Sequence, residues 1–284
     1  MRQYLLTGFA DEISPDLGRQ TAVLRRLNME YMEIRGVNGR GIDTYSEAEA
    51  KEIRKVLDGS GIKVSSLASP IGKTDVTGDF SGHFDHFKHV AELAHILDTR
   101  YIRIFSFFIP KGQRADDYRA SVFERMDRLV SYAEAERLTL LHENEKGIYG
   151  DSPERCRILM EEFYGDSFRA VFDFANFVQC GQDTKRAWEM MKPFIEYVHV
   201  KDARALDKVV VPAGEGDGRI AEILGEIIGS GYEGFLSLEP HLTEFPGLEM
   251  LEREGESLHG MRAMDGEEAF IKGYHALAGI LGLM

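Results

Sequence analysis

The chain has 284 residues, 43% hydrophobic and 29% charged, which is enough apolar material for a large buried core and too much for intrinsic disorder. Acids outnumber bases 48 to 34, giving a formal net charge of −14. A nucleic-acid backbone would be repelled, and the densest basic pair, Arg25 with Arg26, reads as a solvated helix face rather than a binding stripe.

No stretch approaches the roughly 18 apolar residues of a membrane span, and Asp11 and Glu12 interrupt the N-terminal run where a signal peptide would stay apolar. Cys156 and Cys180 are too few and too far apart for a disulfide scaffold or a CxxC motif. These features lead to the expectation of a soluble cytoplasmic protein with no membrane partner.

In chain order, short β-branched or aromatic runs alternate with longer segments of helical periodicity, the pattern of parallel strands joined by crossover helices. The runs predict strands at Tyr4 to Phe9, Tyr31 to Arg35, Lys63 to Ser69, Tyr101 to Phe107, Thr139 to Glu143, Phe168 to Asp173, Ile195 to His199 and Gly234 to Glu239. Ser46 with Glu49 forms a capping box, and Ser152 before Pro153 and Glu154 is a second helix start, repeated at Ser14, Pro15 and Asp16. Gly59, Gly61 and Gly229 sit where helices should end. Phe84, Phe87, Val90, Ala91, Ala94 and Leu97 form an apolar stripe that should pack on the sheet, and Trp188 with Met190 and Met191 reads as core or interface.

Eight strand and helix units fill the chain, and no Gly/Ser/Pro-rich linker interrupts them. The expected fold is a single (β/α)₈ barrel over residues 1–284, with an extended loop from Pro240 to Asp265 after strand eight and a final helix from about Gly266. A loop of that length could form part of the site wall.

Barrel chemistry sits at the C-terminal ends of strands. Strands five to eight end on Glu143, Asp173, His199 and Glu239. Three carboxylates and an imidazole converging at a barrel mouth would repel one another unless a cation neutralised them. A divalent ion does so, and the oxygen-rich donor set suits Mn²⁺, Mg²⁺ or Co²⁺, with Zn²⁺ also compatible. His142 alternates away from Glu143 and should pack against the helix layer. Phe9 and Phe107, at strand ends, read as core that could also wall a sugar face.

The fragments Leu141-His142-Glu143-Asn144, Phe172-Asp173-Phe174-Ala175-Asn176, His199-Val200-Lys201-Asp202 and Leu238-Glu239-Pro240 resemble, in order and spacing, the xylose-isomerase-like barrel superfamily of sugar isomerases and epimerases. Gly8-Phe9-Ala10-Asp11-Glu12 and Arg103-Ile104-Phe105-Ser106 look like the same group, so the resemblance covers most of the chain. It implies that Glu143, Asp173, His199 and Glu239 bind one divalent ion, and that Glu143 and Glu239 are also the acid and base. The chemistry is coherent: a metal-chelated ketose has an acidic C–H beside its carbonyl, and opposed carboxylates can remove and return that proton.

Many relatives carry a histidine three residues after the strand-six aspartate, where this chain has Asn176, which can hydrogen-bond a sugar but cannot carry a proton. That disfavours the three-zinc endonuclease branch. Gly214-Glu215-Gly216-Asp217-Gly218 places acids where a phosphate would sit, so a non-phosphorylated or weakly anionic, sugar-like substrate is expected. Asn176, Lys201, Arg204 and His241 are the candidate substrate contacts; Lys201 and Arg204 could equally pair with Asp202 and Asp207, and His241 could equally be an exposed loop residue. The leading expectation is a ketose epimerase or aldose–ketose isomerase. A dehydratase using the same enediolate, as in inosose dehydratases, is the second, and a barrel that binds metal and sugar without catalysis is the third. The sequence leaves the oligomeric state open, a homo-oligomer included.

Overall fold

The computed structural model describes residues 4–245 and 264–283. Its main sheet contains β1 (Leu5–Gly8), β2 (Tyr31–Ile34), β3 (Lys63–Ala68), β4 (Tyr101–Ile104), β5 (Thr139–Glu143), β6 (Phe168–Asp173), β7 (Ile195–Val200) and β8 (Phe235–Leu238). All neighbours are parallel, and the order is β1-β8-β7-β6-β5-β4-β3-β2. A parallel bridge between Phe9 and Glu33 brings β1 against β2, so the sheet closes into the expected barrel. Around it lie α1 (Leu17–Arg26), α2 (Glu47–Ser60), α3 (Phe80–Ile96), α4 (Arg119–Ala135), α5 (Pro153–Phe163), α6 (Phe174–Gln179), α7 (Thr184–Met191), α8 (Ile220–Gly229) and α9 (Gly266–Ile280). Among the described residues no helix is long and apolar enough to cross a membrane.

Strand boundaries fall within one residue of those expected, except in β4, which stops at Ile104 instead of Phe107. There the N–H groups of Phe105 and Phe107 donate to Ile71 O (2.8 Å) and Gly72 O (2.9 Å) in the preceding loop, and Phe107 takes φ +66°, which ends the strand. The capping box at Ser46 and the Ser152 cap form as expected. The start of α1 is corrected: Asp16 caps it by accepting the Arg19 N–H (2.7 Å), while Ser14 Oγ, before the helix, accepts from Asp16 N. Gly61 closes α2, whereas Gly59 lies within α2 and Gly229 within α8, whose left-handed turn falls on Gly231.

Alternation sorts the side chains into two sets. Ile102, Ile104, Leu140, Phe172, Val198, Leu236 and Leu238 join the main core between sheet and helices, with the α3 stripe and Trp188. Tyr101, Leu141, Val171 and Tyr197 form a separate cluster inside the barrel, and above them the same parity carries Arg103, Glu143, Asp173, His199 and Glu239 to the mouth. His142 is fully buried and stacks near Phe168 on the outer side, as expected; burial pushes its imidazole down to about 4. Phe107 also packs outward, against Phe80 and His83. Of the segment from Pro240 to Asp265, residues 246–263 lie outside the described residues.

Within the loop after β3, Gly72 N donates to His83 Nε2 on α3 (2.9 Å). That bond requires a neutral ring, and burial, aided by His86 and Arg125, pushes the His83 pKa down to about 4. The unfolded chain binds this proton near pH 6.5, so the contribution is complete above that pH and lost as pH falls towards about 4. Replacing His83 with Gln, which keeps an acceptor but not the titration, should flatten the acid side of the stability-versus-pH curve in denaturant melts between pH 7 and 4. An unchanged slope would show that His83 does not couple to folding there.

Candidate metal centre

Glu143 ends β5, Asp173 ends β6, His199 is the penultimate residue of β7, and Glu239 follows β8, its N–H donating to Val200 O at 3.2 Å. Register places Asp173 directly beside His199. One donor atom from each of the four lies within 4.8 Å of the others, and none of the four residues is more than 2% exposed.

His199 is oriented by a residue that reading strand ends alone did not find. Its Nε2 lies 3.2 Å from Glu33 on β2, a fully buried carboxylate that also accepts the Ser237 hydroxyl (2.6 Å). This pairing keeps the proton on Nε2 and turns Nδ1 to the cluster, 3.0 Å from Glu143 Oε1, 3.7 Å from Glu239 Oε2 and 3.9 Å from Asp173 Oδ2. Carboxylate, imidazole and donor cluster thus stand in the order that fixes the tautomer of metal-binding histidines. Phe9, fully buried, meets the ring edge-on at 5.1 Å.

Asp173 divides its carboxylate between two tasks. Oδ1 accepts the Asn176 N–H (2.7 Å) and caps α6, while Oδ2 is buried without a hydrogen bond; Lys201 Nζ is 3.0 Å away but off the bonding direction. An orphaned oxygen facing three other donors is a feature a cation would complete. Asn144 brackets the Asp173 backbone, donating to its carbonyl and accepting its N–H at 3.0 Å each, which extends β5 by a side chain. Asn176 Nδ2 reaches Asn144 O (2.9 Å) and Glu143 Oε1 (3.3 Å), so it positions Glu143 as well as lining the pocket.

The cluster also contains Lys201, a candidate contact, and two arginines not anticipated as part of it. Arg103 Nη1 lies 3.0 Å from Glu143, Lys201 Nζ 3.0 Å from both Asp173 and Glu239, and Arg35 Nη1 3.0 Å from Glu239. Repulsion among the carboxylates is therefore partly relieved by the chain's own cations, where the expectation had named a divalent ion as the neutralising charge. Relief is incomplete: the buried carboxylates Asp11, Glu12, Glu33, Glu143, Asp173 and Glu239 outnumber the cations Arg35, Arg103 and Lys201. Burial pushes Asp173 up to about 7 despite Lys201, with Glu143 and Glu239 adding to the rise. Burial acts in the same direction on Glu143, yet His199 and Arg103 outweigh it and hold that carboxyl at about 2. Lys201, His241 and His199 likewise keep Glu239 well below its usual range.

His241 is buried rather than an exposed loop residue, 3.2 Å from Glu239 and 3.4 Å from Glu12. Glu12, Glu239 and His241 make a second group of donors, but the Arg35 guanidinium already lies against all three, at 3.3, 3.0 and 3.5 Å. Burial pushes Glu12 up to about 8 in spite of Arg35. Arg35 is itself pinned by Asp11 at 2.8 Å and by the rings of Phe9 and Phe245. Lys201 comes to the site and pairs there, not with Asp202. Arg204 does not: it pairs with Asp207 at 2.7 Å with its side chain about half exposed, at 47%. Glu33, Arg35 and Arg103 carried one usable signal, a charged residue inside an apolar strand on the parity of the pocket.

A buried ring of carboxylates and one imidazole at the C-terminal end of a parallel barrel is a donor set that could hold a metal ion. A family model described as the xylose isomerase-like TIM barrel matches residues 22–265, and the chain belongs to that family. Its structure is similar to that of D-allulose 3-epimerase from a Methylomonas species (15% identity, TM-score 0.74, covering 100% of this chain and 99% of the other). It is also similar to the probable 3-DHS dehydratase AsbF of petrobactin synthesis in Bacillus anthracis (15%, 0.73, 97% and 98%). A third likeness is to an IOLI protein with a bound zinc atom (17%, 0.71, 98% and 98%). At such identities these likenesses establish the fold alone. No curated protein matches the chain.

Replacing Glu33 with Gln removes the carboxylate behind His199 without emptying its space. Affinity for Mn²⁺ or Co²⁺, measured by calorimetry, should fall about 10- to 100-fold, and Asp173→Ala should fall further. Parental affinity in Glu33→Gln would show that Glu33 does not set the His199 tautomer.

Proposed function

We propose that this barrel is a divalent-metal-dependent isomerase or epimerase of a ketose or related polyol-ketone, with Glu143 and Glu239 moving the proton. The observation that carries the reading is the placement of these two glutamates, three strands apart across the mouth, each buried, ionised and steered by its own arginine. Glu143, Asp173, His199 and Glu239 would hold the ion, with Mn²⁺, Mg²⁺ or Co²⁺ preferred by their oxygen-rich donors and Zn²⁺ a further candidate. Bound there, the ion would polarise the substrate carbonyl and its neighbouring hydroxyl.

The protein's own groups account for the rest. Arg103 on Glu143 Oε2 and Arg35 on Glu239 Oε1 fix both carboxylates, leaving Glu143 Oε1 and Glu239 Oε2 turned to the cluster. One glutamate removes the proton beside the carbonyl and generates an enediolate. The opposed glutamate, protonated in the substrate complex, would return a proton to the other face, and Lys201 Nζ, 3.0 Å from Glu239 Oε2, positions that carboxyl. Lys201, Asn176 and His241 line the pocket and would meet substrate oxygens; Arg204 is left out because its guanidinium is spent on Asp207 at the surface. We read residues 1–284 as one domain, and the free thiols of Cys156 and Cys180 suit a reducing compartment such as the cytoplasm.

In D₂O with Mn²⁺ or Co²⁺ and a panel of ketoses, deuterium should enter one carbon-bound position, followed by NMR. No exchange with any sugar or polyol-ketone would overturn the reading, and a rising enone absorbance would make the protein a dehydratase instead. Glu143→Gln and Glu239→Gln should each lower turnover by at least about 10²-fold while metal still binds. Parental turnover in both would move the proton chemistry elsewhere.

A further inference from the structure

The loop after β7 carries Gly214-Glu215-Gly216-Asp217-Gly218 and leads into α8, the region where barrels commonly place a phosphate group. Its amides do converge on an anion, and that anion belongs to the chain. Asp202 Oδ2 accepts from Gly214 N (2.9 Å) and Gly216 N (3.0 Å), while Oδ1 accepts from Gly218 N and Ala203 N (2.9 Å each). The carboxylate is fully buried. Burial pushes it above its ordinary range, and the four amides oppose that push.

Close approach explains the glycines. A Cβ would stand 2.4 Å from Asp202 Oδ1 at Gly216 and 2.7 Å at Gly218, so any side chain there would expel the carboxylate. The acids within the glycine run face elsewhere: Glu215 is exposed, and Asp217 accepts the Ala205 N–H at 2.6 Å. The phosphate position is thus filled as the sequence suggested, but by Asp202 from the end of β7. The cradle adjoins the substrate pocket, because the antiparallel ribbon that starts at Asp202 pairs Ala203 with Val210, and Val210 lines the pocket.

The cations of the pocket are equally committed. Lys73 is held by Glu145 (2.9 Å), Arg103 by Glu143, Lys201 by Asp173 and Glu239, and Arg35 by Asp11 and Glu239. Each of these contacts is 3.0 Å or shorter, and each of the four cationic side chains is at most 9% exposed. A phosphate ester entering here would bring a charge of about −1.5 to −2 against carboxylates whose donors are already used.

We infer that Asp202 is a resident anion and a specificity-determining residue, which fills the loop-seven amide cradle and reserves the site for uncharged substrates over their phosphate esters. The substrate half of this inference rests on the isomerase reading; the anion-binding half does not.

The test uses the full chain, with inorganic phosphate as the probe, in EDTA so that no metal ion can bind it. Thermal melts of the parent should not respond to phosphate. Asp202→Gly, which vacates the cradle, should melt lower and be restored saturably by phosphate, with Asp202→Asn intermediate. With Mn²⁺ present, the parent should prefer free ketoses to their phosphate esters in kcat/KM by on the order of 100-fold. Saturable phosphate binding by the parent, equal use of esters and free sugars, or a folded Asp202→Gly that ignores phosphate would each overturn the inference. If Asp202→Gly fails to fold, the two parent measurements decide. Turnover of no ketose at all counts against the isomerase reading, and the phosphate melts then judge Asp202 alone.

Discussion

The structure depends on pairing charges that have been taken out of water. A barrel of short parallel strands buries whatever its inward parity delivers, and here that includes Glu33, Arg103, Glu143, Asp173, His199 and Glu239. An unpaired charge at such a depth is strongly destabilising, so each group must find an opposite charge or a donor at short range. His199 lies at the centre, with Glu33 beneath it and Glu143 beside it, and its pKa is raised well above the ordinary value because those two carboxylates outweigh burial. A metal ion at Nδ1 would take the place of that proton, which couples ion binding to pH.

The same requirement shapes the loops. Asn144 and Asn176 carry hydrogen bonding beyond the ends of β5 and β6, where the sheet ladder stops. Asp173 both caps α6 and presents an oxygen to the cluster, so a helix start and a donor atom are a single feature. Arg35 connects β2 to Asp11, Glu12 and Glu239, and its contact with Phe245 reaches the chain after β8. Closure of the barrel and construction of the mouth are therefore linked: β2 supplies the bridge to Phe9, and the arginine that steers Glu239 directly follows it.

Membership of the xylose isomerase-like family accounts for the scaffold and not for the reaction. Epimerase and dehydratase neighbours superpose almost equally well, because the barrel sets where strand ends meet while loops decide what they meet. Around the ring of this chain stand an asparagine beside Glu143, a lysine between Asp173 and Glu239, a histidine after Glu239, and an aspartate that fills its own glycine loop.

Much of this was legible in the sequence. Strand positions follow from period-two alternation and from punctuation by caps and glycines, which are local, and the four strand-end residues follow from strand ends because a parallel barrel brings all its C-terminal ends to one face. The partners of those residues were not legible. Glu33 and His199 are 166 positions apart and meet only because the barrel closes between β1 and β2. The burial of His241 depends on Arg35, Glu12 and Phe245, which its own neighbourhood in the chain does not announce. Asp202 reads locally as a partner for Lys201, yet its carboxylate turns to amides 12 to 16 residues downstream, because a buried anion takes the donors that fit most closely. Sequence determined which groups reach the mouth through local periodicity; tertiary closure decided how their charges are paired, because pairing depends on distances across the barrel.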